Sequence, residues 1–214
     1  ISLGANVLAA RFYAAGKDRE MSETVHTSIT LALISGIMMA VIGVLLAKWA
    51  LEIMGTPDDV IGQSALYMRI YFMGMPFFML YNYGAAILRA IGDTKRPLIF
   101  LIISGIANAA LNMILVILFH MGVAGVAIGT IISQLISCVL VLTCLYRSEG
   151  SYQLRFSKLK INGAYMEQIF QVGVPAGIQS TVINLSNALL QSSVNSFGSI
   201  AMAGYTAANN ILGF

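Results

Sequence analysis

Pro97-Leu-Ile-Phe-Leu-Ile-Ile-Ser-Gly-Ile-Ala-Asn-Ala-Ala-Leu-Asn-Met-Ile-Leu-Val-Ile-Leu-Phe119 is a run of 23 residues without Asp, Glu, Lys or Arg, and after His120 a second uncharged run covers 121–146. About 20 apolar residues in an α-helix cross a hydrocarbon core of roughly 30 Å. Two such runs joined by His120-Met121-Gly122 predict an antiparallel helical hairpin through a membrane. Uncharged runs at 25–46 and 70–88 fit the same ruler. The run at 168–214 has 47 residues, too many for one crossing, and Phe197-Gly198-Ser199 is where it would fold in two. The chain is 58% hydrophobic and only 10% charged, with mean hydropathy +0.82. That is too little charge to cover a water-facing surface. The predicted fold class is all-α: a polytopic transmembrane helical bundle of five complete spans, with partial spans at 1–15 and at the end. Both ends read as lying inside a longer protein.

The positive charge is topogenic in its placement. Ten of the 12 Lys and Arg (Arg11, Lys17, Arg19, Arg89, Lys95, Arg96, Arg147, Arg155, Lys158 and Lys160) fall at alternate connections. Only Lys48 and Arg69 flank the other set, which also carries Glu52, Asp58 and Asp59. This split marks the basic loops as cytoplasmic and argues against a nucleic-acid partner. Trp49, Tyr67 and Tyr71 fall at the outer boundary, where amphipathic aromatics settle.

Gly16 and the turn Lys17-Asp18-Arg19-Glu20 end the first helix, and Pro76, at mid-depth in the third span, predicts a kink. The polar connection 148–163 is the natural boundary. Its mixture of Leu154, Phe156, Leu159 and Ile161 with Arg155, Lys158 and Lys160 suits either a segment on the cytoplasmic membrane surface or a solvated linker. Cys138 and Cys144 lie in one span without metal-ligand spacing and read as apolar filler.

No acidic residue lies inside a span, so these spans hold no proton-carrying carboxylate. They hold amides instead. Asn108 and Asn112, four apart, stack on one helix face. With Thr130 or Gln134 of the next helix they could ligate a hard cation through oxygen, or simply bond one helix to the other. The sixth helix carries Gln179, Asn184, Asn187, Gln191 and Asn195. So many amides must face protein or water rather than lipid, which favours a water-filled cavity. HExxH, GxSxG and phosphate-cradling loops are absent, and the two histidines, His26 and His120, read as interfacial residues at span ends. The expectation is a protein that is not an enzyme.

The loop Leu88-Arg89-Ala90-Ile91-Gly92-Asp93-Thr94-Lys95-Arg96-Pro97 resembles the LRA-x-GDT-x-x-P signature between the fourth and fifth helices of MATE (multidrug and toxic compound extrusion) transporters. Gly4-Ala5-Asn6 through Gly16-Lys17-Asp18 is similar to the end of the family's second helix and the loop after it. Asn108-Ala-Ala-Leu-Asn112 resembles its fifth-helix Asn-x-x-x-Asp/Asn pattern. Gly122 to Thr130 is similar to the start of the sixth, and Gly173-Val-Pro175-Ala-Gly177 to the opening of the seventh. The resemblance implies helices two to eight of twelve: 1–146 is most of the N-lobe, 147–162 the cytoplasmic inter-lobe linker, and 163–214 the start of the C-lobe.

It further implies a cation-coupled antiporter, driven by Na⁺ or H⁺, that exports drugs or other amphiphilic, often cationic, compounds by alternating access of two lobes. In one branch of the family an N-lobe cation site draws on fifth- and sixth-helix residues whose counterparts are Asn108, Asn112 and Thr130. Asn112 stands where that branch has Asp, and an amide carries no proton, so Na⁺ is better suited than H⁺ to these positions. The implied cavity lining is Gln179, Asn184, Asn187, Gln191 and Asn195. No cofactor or metal beyond Na⁺ is expected. The expected partners are an amphiphilic small molecule and the lipid bilayer, and the expected state is a monomer in a bacterial plasma (inner) membrane. The rival within transport is a lipid-linked saccharide flippase, which would place cationic residues inside its spans; the rival outside transport is a membrane scaffold.

Overall fold

The computed structural model describes residues 2–53, 58–155, 157 and 159–195. Seven α-helices follow one another: α1 (Ser2–Ala14), α2 (Asp18–Ile53), α3 (Asp58–Met73), α4 (Met75–Ala90), α5 (Lys95–Met113), α6 (Gly122–Arg147) and α7 (Gly163–Asn195). One π-helical turn, Ile114–Leu118, continues α5. There is no strand among the described residues. The helical segments Asp18–Ile53, Lys95–Leu118 and Gly122–Arg147 are long and apolar enough to cross a membrane. The turn expected at Phe197-Gly198-Ser199, and all that follows it, lies outside the described residues.

The tight turns on the basic side are built by glycine. Gly16 (φ 65°) and Gly92 (φ 86°) occupy the left-handed region just beyond α1 and α4. Each closes its helix with the same pair of bonds: Gly16 N–H to Tyr13 O and Lys17 N–H to Phe12 O, then Gly92 N–H to Arg89 O and Asp93 N–H to Leu88 O. This is the Schellman arrangement, and it requires a residue without Cβ strain at that position. Asp93 then opens α5, its carboxylate accepting the Arg96 N–H at 3.1 Å and pairing with the Arg96 guanidinium at 3.2 Å. Asp18 and Glu20 in the first turn of α2 complement the helix dipole.

Near the kink expected at Pro76 the helix is interrupted for one residue. α3 and α4 form one hydrogen-bonded course from 58 to 90, interrupted at Gly74, with Pro76 in the first turn of α4. The Phe77 and Phe78 N–H groups both reach Gly74 O at 3.1 Å. The break packs between two neighbours. A Cβ on Gly36 of α2 would lie 2.6 Å from Pro76 Cα, and one on Gly74 would lie 2.7 Å from Gln134 Oε1 of α6. The broken helix is thus clasped by α2 and α6, with α5 on the far side of α6 and α1 carrying α7.

Met21, Val25, Ile87, Leu88, Val141 and Leu145 are fully buried, and they gather at the end of the bundle that bears the basic turns. Elsewhere large apolar side chains point outward, as with Leu45 at 73% and Leu118 at 71% exposure, the surface that lipid covers. At Leu154 the connection 148–162 departs from both expected readings. Leu154 is fully buried against this core, its N–H bonded to Leu145 O at 3.0 Å, and Leu159 packs partly against it. The linker folds back on the helices at Leu154, which finds a protein groove, while Ile161 stays 43% exposed. His26 departs too: it is not an interfacial residue but is buried beneath this linker, 4% exposed.

Candidate functional site: an amide cluster between α5 and α6

Small residues let α5 and α6 approach. A Cβ on Gly125 would meet Leu115 Cβ at 3.1 Å, and one on Gly129 would collide with Asn112 Oδ1. With 125 opposite 115, 129 opposite 112 and 133 opposite 108, the two helices run antiparallel, as the short turn predicts. That turn uses two left-handed residues, His120 (φ 51°) and Gly122 (φ 55°).

In the space these glycines leave, Asn108, Asn112 and Thr130 come together. Asn112 Nδ2 donates to Asn108 Oδ1 at 3.2 Å. Asn108 Nδ2 donates to Thr130 Oγ1 at 3.4 Å and to Ser133 Oγ at 3.3 Å. Thr130 and Ser133 give their own protons to the Val126 and Thr130 carbonyls, at 2.9 and 2.7 Å, which leaves their oxygens as acceptors. The network leaves one acceptor with nothing to accept. Asn112 Oδ1 is buried without a partner, as is Gln134 Oε1 one turn beyond Thr130. A desolvated amide oxygen left this way costs about 1–3 kcal/mol. The Asn112 oxygen is neutral and hard, and no member of the cluster carries a titratable proton; Gln134 Oε1 lies on the side of α6 that faces Gly74. Such a donor set fits a hard monovalent or divalent cation.

Two members went unmarked in the sequence. Ser133 carries the signal of its spacing, three residues after Thr130 on the same face. Gly129 was legible only as a packing residue, yet its missing Cβ is what seats Asn112.

The amides of α7 are elsewhere. Gln179, Asn184 and Asn187 are exposed. By helical register Asn184, Asn187, Gln191 and Asn195 occupy an arc of about 80°, with Gln179 about 80° outside it. Ser180 and Thr181, between them, return their hydroxyls to the Ala176 and Gly177 carbonyls, both at 2.9 Å. α7 packs on α1 and α2, crossing α1 where Gly4 meets Gly173, so the α7 row and the α5–α6 cluster are not brought together.

The family model MatE matches residues 1–114. A Bacillus subtilis (strain 168) relative called probable multidrug resistance protein YoeA is 33% identical over 223 residues, covering 100% of this chain and 48% of the relative. The multidrug export protein MepA of Staphylococcus saprophyticus is 25% identical over 174 residues, covering 79% of this chain and 39% of that protein. The chain therefore spans about half the length of the curated relatives it matches. A crystal structure of MATE in the bent conformation superposes with a TM-score of 0.88 at 20% identity, over 98% of this chain and 47% of the other. A MOP-superfamily transporter from Pyrococcus furiosus gives 0.86 at 20% identity, over 99% and 47%. These structures share the fold of α1 to α7, and the sequence matches cover the signature loop and the asparagine pair; the chain belongs to the MatE family of integral membrane transporters.

Proposed function

We propose that the protein containing this chain is a multidrug efflux antiporter that exchanges Na⁺ for amphiphilic, often cationic, compounds. The named activities of the relatives support the export reading. The carrying observation for the coupling ion is the unpartnered Asn112 oxygen in a cluster of neutral oxygens. Na⁺ needs oxygen ligands and no titrating group, whereas H⁺ coupling needs a group that changes charge. In this reading Asn108, Asn112 and Thr130 hold the ion. Asn184, Asn187, Gln191 and Asn195, with Gln179 at the margin, line the substrate path. The protein would work as a monomer in a bacterial plasma membrane, its lobes rocking around the ion and the substrate in turn.

The test is ethidium efflux by the full-length protein in drug-hypersensitive bacterial cells, under an imposed Na⁺ gradient or an imposed pH gradient. Efflux driven by Na⁺ and reduced about tenfold or more in Asn112→Ala, equivalent to losing about 1.4 kcal/mol of ion binding, supports the proposal. Efflux driven by the pH gradient alone overturns the coupling ion. No efflux under either gradient, with the protein present in the membrane, turns the reading to a flippase or another substrate class.

A further inference from the structure

Three side chains on one face of α2 hold the connection that leads from α6 to α7. Glu23 Oε2 accepts from Asn162 Nδ2 at 2.8 Å. Thr27 Oγ1 accepts the Asn162 N–H at 3.2 Å and donates to Lys160 O at 3.5 Å. Between them, His26 Nε2 accepts the Arg155 N–H at 3.1 Å, while its Nδ1 lies 2.6 Å from Ser22 O.

These two partners fix the state of the ring. A carbonyl only accepts, so Nδ1 must carry a proton; a backbone N–H only donates, so Nε2 must not. His26 is therefore neutral and of one tautomer while the linker is seated. A second proton has no place but Nε2, where it would face the Arg155 N–H head-on.

We propose that His26 is a proton-operated latch: neutral, it holds the linker on α2, and protonation on the cytoplasmic side releases it. A cavity of about 930 Å³ beside the ring, lined by Ser22, Ser157 and Asn162 among others, gives protons access. Among the described residues, the charged groups lining that cavity are Asp18, Arg19 and Glu23 of α2 and Lys160 of the linker, two of each sign. Arg19 is itself paired with Glu23 at 3.1 Å, and Lys17 with Glu20 at 3.9 Å. The Arg155 guanidinium turns to Gln153 Oε1, 3.0 Å away, and Glu167 of α7 is bonded to Gln171 at 3.1 Å. With the surrounding charges opposed, the hydrogen bonds at Nε2 and Nδ1 decide the sign: the latch holds at higher pH and opens as pH falls.

The test is hydrogen exchange, read by mass spectrometry, on the full-length protein in lipid nanodiscs at pH about 5.5 and about 7.5, which bracket the ordinary histidine transition near 6.5. After correction for intrinsic exchange, amides 153–162 should lose up to about tenfold in protection at the acid pH, with α6 amides unchanged as the reference. His26→Gln, which cannot titrate, should show no step, and Thr27→Val should lower protection at both pH values while keeping the step. Equal protection of the wild-type linker at both pH values would overturn the latch, as would a full-sized step in His26→Gln. Independently of any variant, ring ¹⁵N signals of His26 should report the Nδ1–H tautomer at the higher pH; the Nε2–H tautomer there would refute it.

Discussion

Asn112 and Gly129 act as a pair, since the amide oxygen of one occupies the space a Cβ of the other would fill. Gly129→Ala should push Asn112 off its seat. We expect a stability loss of about 1–3 kcal/mol from overpacking and a raised Na⁺ requirement for efflux, measured as the Na⁺ concentration giving half-maximal rate. Asn112→Asp places a carboxylate where the oxygen is already desolvated. It adds a titratable group to a cluster that holds none, so efflux by this variant should gain a pH dependence beyond that of the wild type, read as initial rate against pH at fixed Na⁺. The asparagine pair was legible in the sequence because four residues make one helical turn. Gly129 was not: a glycine that permits helix packing and one that seats a buried amide oxygen look the same until the opposing atom is known.

Among elements, the break between α3 and α4 is the feature least like a plain span. Pro76 signalled a disturbance, but a proline reports only its own missing N–H; that Gly74 marks the interruption depends on what Gly36 and Gln134 press against it. Gly36→Ala should therefore be costly in spite of its size, because the atom it meets is backbone that cannot rotate away. Loss of about 1–3 kcal/mol, seen as a lowered unfolding temperature in detergent, is expected; an unchanged temperature would mean that α2 and α4 separate freely. The linker shows the opposite limit of sequence reading. Its alternating Leu154, Arg155 and Leu159 pattern fits a lipid surface as well as a protein groove, and only the tertiary contact to Leu145 distinguishes them. His26 was misplaced for the same reason, since its partner Arg155 is 129 residues away.

For the whole molecule, the alternating charges predict the orientation, and they do so from the sequence alone because the rule depends on composition of loops and not on packing. In a full-length protein cleared of other cysteines, His120→Cys should react with a membrane-impermeant maleimide in intact cells. Lys95→Cys should react only after permeabilisation. The reverse labelling would invert the topology and put the His26–Arg155 contact on the outside.

Burial of Leu154 also sets the length of a leash. Eight residues, 155–162, separate it from the start of α7, and an extended chain gains at most about 3.6 Å per residue. With Leu154 seated, α7 cannot begin more than about 30 Å away, however the rest of the protein turns. Release at Arg155, Lys160 and Asn162 would lend the following helix that reach and no more. Inserting a flexible stretch after Asn162 would lengthen the leash without touching any contact described above.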